Sequence, residues 1–87
     1  MLTLPLHLRT ITDFRNYADF VDTFWFEGTV SGRGFQVKPE DILTLLALYP
    51  LRDVRLNMDN YDARELPQME RFLQEADLLD TQERREA

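Results

Sequence analysis

The chain has 87 residues, 16 of them acidic and 10 basic, for a net charge of −6, and it contains no cysteine. That length holds one domain with one modest core, the lack of cysteine excludes a disulfide framework, a thiolate metal site and a cysteine nucleophile, and the acidic balance argues against nucleic acid as a partner. A hydrophobic fraction of 44%, with six Phe, three Tyr and one Trp, predicts a folded chain rather than a disordered one.

The basic residues are scattered along the chain, Lys38 is the only lysine, and no Lys/Arg cluster lies beside a run of stacking aromatics. The opening Met1-Leu2-Thr3-Leu4-Pro5 has no basic region before an apolar run. No apolar stretch approaches the roughly 20 residues that span a bilayer. The expectation is a soluble cytoplasmic protein with neither signal nor anchor and no membrane partner.

Leu2, Leu4, Leu6 and Leu8 alternate with Thr3, Pro5, His7 and Arg9. Period-two alternation puts the leucines on one face and predicts a half-buried strand over 2–8. Pro5 cannot donate to a ladder, which places that strand at a sheet edge. The period then changes. Ile11, Phe14, Tyr17, Ala18, Val21 and Phe24 recur at three- and four-residue steps and predict an amphipathic helix over 11–24, with Thr10 as N-cap and Asp13 in its first turn. Residues 25–31 read as a strand, Ser31-Gly32-Arg33-Gly34 as a turn, and 35–37 as a short returning strand. Pro39 is suited to the first position of a second helix over 39–49, with Glu40 and Asp41 at its positive end and Pro50 stopping it. Residues 52–58 alternate again, with Val54, Leu56 and Met58 facing inward. Asp62 and Glu65 form a capping-box-like pair before a third helix over 66–78, whose start Pro67 blurs.

The predicted order is β-α-β-β-α-β-α in a single domain, 1–80, followed by a charged tail, 81–87, expected to fray. Half-polar strands predict two layers, with the helices on one face of a four-stranded antiparallel sheet. Leu2, Leu4, Leu6, Phe14, Val21, Val30, Leu45, Val54, Leu56 and Phe72 are the expected core.

That order at this length resembles the histidine phosphocarrier (HPr) family of the bacterial sugar phosphotransferase system. The similarity runs over nearly the whole chain: Phe24 at the end of the first helix, Glu27-Gly28-Thr29-Val30 in the second strand, the glycines at 32 and 34, and the apolar Ile42-Leu43-Thr44-Leu45. The family's functional motif is His-x-Arg-Pro, its histidine at the first helix's N-terminus, where helix N–H groups and the arginine stabilise a phosphoryl group. An ungapped fit puts Thr10 at the histidine position, Thr12 at the arginine and Asp13 at the proline. The resemblance therefore implies an HPr-like fold without a phosphate carrier. The family's regulatory serine, at the start of the second helix, is matched by Asp41, whose single carboxylate is a crude copy of a phosphoserine and whose simpler role is to cap the helix beside Glu40. The family also implies a partner-protein surface on the first two helices, here near Phe14, Asp41, Thr44 and Leu48. Within the second helix Ile42, Leu45, Leu46 and Tyr49 make the core-facing stripe, with Leu43, Ala47 and Leu48 beside or outside it.

His7 is the only histidine, and Leu6-His7-Leu8-Arg9 superficially echoes the family motif. The alternation places it mid-strand on the polar face, away from a helix N-terminus, so it reads as a solvated strand residue ahead of a phosphoacceptor. Asp53, Asp59 and Asp62 surround the last strand without a His or Cys at ligand spacing, and 59–65 does not follow the calcium-loop pattern. They read as solvated turn acids, with no metal. Gly32-Arg33-Gly34 is a hairpin turn, too short for a phosphate loop. No Ser, His and acid set can be assembled, so the chain is expected to be neither an enzyme nor a holder of cofactors. The leading expectation is a regulatory or protein-binding module, acting on a partner or on itself. The alternatives are a ferredoxin-like or ACT-type small-molecule sensing domain, for which the sequence shows no basic clamp, and an active carrier using His7.

Overall fold

The computed structural model describes residues 2–79, and the expected tail, 81–87, lies outside them. The elements run β1 (Leu2–Pro5), α1 (Ile11–Thr23), β2 (Phe26–Gly32), β3 (Phe35–Val37), α2 (Ile42–Ala47), β4 (Arg55–Tyr61) and α3 (Leu66–Glu75). The architecture is α+β, with one open four-stranded sheet in the order β1-β4-β2-β3 and every neighbouring pair antiparallel. The expected order of elements holds, and β1 with its Pro5 does lie at an edge.

Alternation sorts the sheet into two faces. Leu4, Val30, Leu56 and Met58 are buried in one hydrophobic cluster with Phe14, Tyr17 and Phe20 of α1, Leu45 of α2, and Met69 and Leu73 of α3. Leu56 is fully buried, a transfer worth about 1.5–3 kcal/mol. The opposite face is polar. There Asn57 Nδ2 donates to Thr29 Oγ1 at 3.2 Å and to Ser31 Oγ at 3.0 Å, and Thr3 Oγ1 donates to Asn57 Oδ1 at 3.1 Å. The β2–β4 ladder slips by one residue between Glu27 and Gly28, and a Cβ at Gly28 would collide with the carbonyl oxygen of Asn57. The bulge therefore requires glycine at 28.

Boundaries move where tertiary contacts outweigh local pattern. β1 ends at Pro5, not at residue 8, so His7 lies outside the strand, in the connection to α1. β4 runs over 55–61 instead of 52–58, although Val54, Leu56 and Met58 are buried as expected. α2 is a six-residue helix that starts at Ile42, with Asp41 as N-cap. Pro39 is not its first residue: it lies in the preceding turn, where its carbonyl accepts from the buried Tyr17 hydroxyl at 2.7 Å. Burial, and after it the Glu40 carboxylate, push the Tyr17 hydroxyl well above the ordinary tyrosine range, so it stays a proton donor. α3 is capped at Glu65 without a side-chain bond, and Asp62 instead accepts from Arg64.

α3 ends in a Schellman motif. Asp77 is left-handed (φ 58°), its N–H reaches the Gln74 carbonyl, and the Leu78 N–H reaches that of Leu73 at 2.8 Å. This reversal stops the helix short of residue 78 and lays Leu79 beside Leu6.

Of the expected core, Leu4, Leu6, Phe14, Val30, Leu45, Val54 and Leu56 are buried, while Leu2, Val21 and Phe72 pack against it half-buried. Phe20 is fully buried and was missed by the pattern; Ile11, included in the pattern, is 69% exposed.

Candidate functional site

The row Pro5, Arg55 and Ser31 marks one end of the sheet. Three connections leave from that end. The β1–α1 connection, 6–10, is held by Leu6 N–H on the Val54 carbonyl and His7 N–H on the Leu78 carbonyl at 2.6 Å. The β2–β3 turn places Gly34 at φ 85°, a conformation natural to glycine. The α2–β4 connection, 48–54, contains a cis Tyr49–Pro50 bond and a left-handed Asp53 (φ 56°).

These connections are tied together around an open cleft of about 480 Å³. Arg33 N–H donates to the Arg52 carbonyl at 3.1 Å, and the Arg33 guanidinium meets Asp53 at 3.0 Å. The Tyr49 hydroxyl donates to the Arg9 carbonyl at 3.0 Å, while its ring meets that of Phe14 edge-on at 6.3 Å. Among the described residues, four arginines, Arg9, Arg33, Arg52 and Arg55, line the cleft with His7 and a single carboxylate, Asp53. Scattered in sequence, these cations converge in space. Antiparallel pairing brings the C-terminal ends of β1 and β2 to the N-terminal end of β4; Arg33 and Arg55 sit at or next to those ends, and Arg9 and Arg52 lie in the adjoining connections.

Beside the cleft, α1 begins with the expected Thr10 cap, completed into a capping box. Thr10 Oγ1 accepts from Asp13 N–H at 3.1 Å; Asp13 Oδ2 accepts from the N–H groups of Thr10, at 3.1 Å, and Arg9, at 2.9 Å. Asp13 is the buried charged residue of the described chain. Its carboxylate takes the N–H groups of Arg9 and Thr10 and places a negative charge beside the start of the helix. Thr12 lies exposed one residue before it. His7 is half-buried in the connection, its Nδ1 3.7 Å from Asp13 Oδ2, too far for a hydrogen bond. The expected place on the polar face of a strand is therefore corrected.

The expected partner surface divides. Phe14 is 4% exposed and belongs to the core, because its ring packs under the α2–β4 connection. Asp41 and Thr44 are half-buried and bound to each other, Thr44 Oγ1 donating to Asp41 Oδ2 at 2.8 Å. Leu48 is exposed. The expected core stripe of α2 is also corrected. Leu45 is fully buried, Ile42 half-buried, and Leu46 and Tyr49 are exposed, because the short helix presents little more than one turn to the core.

The acids around β4 do not converge. Asp53 pairs with Arg33, Asp59 is exposed, and Asp62 pairs with Arg64, whose side chain first and backbone N–H second hold that carboxyl below its usual range. Among the described residues no group of three or more His, Cys, Asp or Glu could hold a metal ion, and no helix is long and apolar enough to cross a membrane. No protein-family model, no curated protein and no solved structure matches the chain.

Proposed function

We propose that the chain is a non-catalytic, HPr-like regulatory module that binds a protein through the exposed side of α2 and carries no phosphate on histidine. The observation that carries this reading is the crowding of apolar side chains there. Of six large hydrophobic residues exposed in the described chain, four lie within 43–49: Leu43 (80% exposed), Leu46, Leu48 and Tyr49. Exposed apolar residues gathered on one patch favour contact with another protein over contact with water. The order β1-β4-β2-β3 supports the HPr-like reading over a ferredoxin-like one, in which the first and third strands would be neighbours; here they are the two edges. The Asp13 carboxylate supports the loss of the carrier function, since it would repel a phosphoryl group at the start of α1.

A carrier that uses His7 draws support from one observation, its place in the lining of the arginine cleft. Against it stands the same Asp13. Both readings are tested by incubating the protein with labelled phosphoenolpyruvate and the general enzyme of the phosphotransferase system. The expected result is no acid-labile phosphohistidine, and label abolished by His7→Ala would establish the carrier. For the binding reading, Leu48→Glu is expected to weaken a dimer or partner complex with the thermal midpoint nearly unchanged. A complex indifferent to Leu48→Glu would move the interface off α2.

A further inference from the structure

We infer that the arginine-lined cleft binds a small polyanion, a metabolite-sized molecule bearing two or more carboxylate or phosphate groups. The inference goes beyond the HPr-like reading and does not depend on it.

Charge placement is the first argument. The chain carries a net charge of −6, yet four of the seven arginines within 2–79 line this cleft against one carboxylate, Asp53. Like charges gathered at one place repel one another, and the repulsion is relieved when an anion sits among them. Among the described residues only one carboxylate lines the cleft. Asp53 is already engaged by Arg33, and Arg9 and Arg52 have no carboxylate partner among the described residues.

The backbone that carries the arginines is also tied together before any ligand arrives. Each comes from a different segment: the β1–α1 connection, the hairpin turn, the α2–β4 connection and the start of β4. The Arg33 N–H on the Arg52 carbonyl joins the hairpin turn to the α2–β4 connection, and the Tyr49 hydroxyl on the Arg9 carbonyl joins the β1–α1 connection to it as well. Asp53, at φ 56°, holds a backbone conformation uncommon for a residue with a side chain, and from it reaches the Arg33 guanidinium.

Chemistry and size then narrow the ligand. The Asp13 carboxylate, bound to the N–H groups of Arg9 and Thr10, sets a negative charge at the start of α1, and the cations offered on the cleft are guanidinium groups. Their planar forks match the paired oxygens of carboxylates and phosphates alike. A volume of about 480 Å³ lies in the range of roughly 300–1,000 Å³ typical of small-molecule sites. Buried Leu6, Leu8 and Val54 also line the cleft, so a carbon skeleton has apolar surface to lie against.

The test titrates the full chain at low ionic strength with citrate and, separately, with inorganic pyrophosphate, by calorimetry and by amide and arginine Nε–H NMR shifts. At least one of the two is expected to saturate a single site, with shifts confined to 5–9, 33 and 49–55, and to weaken as salt is added. The stronger of the two identifies the group recognised. Arg52→Gln and Arg9→Gln should each weaken binding about tenfold or more at an unchanged thermal midpoint, while Arg71→Gln, on α3, should leave it intact. Absence of saturation by both anions at millimolar concentration overturns the proposal, as does an equal loss in Arg52→Gln and Arg71→Gln. Tighter binding of a hexaglutamate peptide than of either small anion replaces the metabolite with an acidic protein segment. None of these readouts involves phosphotransfer or Leu48, so a failure here is separable from a failure of the binding-module reading.

Discussion

The two ends of the sheet are built on opposite plans. At the end where Phe26 of β2 faces Tyr61 of β4, four phenylalanines close over one another. Phe20 lies 5.3 Å from Phe24, 5.6 Å from Phe26 and 5.7 Å from Phe72 between ring centroids, and Phe24 meets Phe72 edge-on at 5.9 Å. These are favourable aromatic separations, with tilted or perpendicular planes. At the other end, three connections leave the sheet and enclose the arginine cleft. Apolar area removed from water stabilises the first end, whereas exposed cations and single hydrogen bonds shape the second. The difference teaches where stability and recognition are separable in a small domain: one end can be loosened or recharged without dissolving the core that the other supports.

The sharpest way to break that comparison is to truncate one residue at each end. Phe20→Ala should cost about 3–5 kcal/mol, because Phe20 is fully buried and touches three other rings. Arg52→Gln, exposed on the cleft, should stay within about 0.5 kcal/mol of the parent. Chemical denaturation of both variants measures the contrast. Comparable losses would show that the cleft end also carries the fold.

A smaller effect is expected midway, where α1 holds the chain before α2. Tyr17→Phe keeps the ring but leaves the buried Pro39 carbonyl without its donor, at a cost of about 1–3 kcal/mol. Because burial keeps the Tyr17 hydroxyl protonated well above the usual tyrosine range, this contribution should persist as pH rises through 10 and fall away only beyond. The sign follows from the raised folded value: ionisation in the unfolded chain precedes ionisation in the folded one. A Tyr17→Phe deficit that disappears near pH 9 would remove Pro39 as the partner.

The two ends also differ in how far the sequence announced them. The sheet faces, the Thr10 cap and the glycine turn were legible because each is local: alternation at 54, 56 and 58, a threonine three residues before an acid, and two glycines around Arg33. Phe20 obeyed the same spacing from Tyr17 and Phe24 and could have been included. Its burial against Phe26 and Phe72, however, depends on which strand lies beneath α1. The cleft was harder. Arg9, Arg33, Arg52 and Arg55 are adjacent only once the strands are paired, so no window of sequence contains the site. The start of α2 was misplaced for a related reason. Pro39 has good local credentials as a first helical residue, but in the fold it lies in the turn before α2, its carbonyl bonded to a hydroxyl 22 positions away in sequence.

The smallest expected effect turns on two aspartates that share a backbone conformation at different places. Asp77 (φ 58°) ends α3, and Asp53 (φ 56°) stands on the cleft. A left-handed conformation costs a residue with a Cβ about 1–2 kcal/mol, less for aspartate, while glycine adopts it freely but loses more entropy on folding. At Asp77 the position is the one a Schellman motif reserves for glycine, and both of its backbone bonds survive substitution because they use N–H groups. Asp77→Gly should therefore raise stability by about 0.5–1 kcal/mol, a gain of roughly 2–8 °C in the thermal midpoint for a domain of this size. Asp53→Gly relieves the same conformation but removes the exposed Arg33 contact, whose worth is about 0–1 kcal/mol, so its gain should be smaller or absent. Thermal melts of the two variants in parallel decide the matter. A larger gain at 53 than at 77 would mean that Arg33 and Asp53 oppose folding, and that the cleft is held in a conformation the chain would otherwise leave.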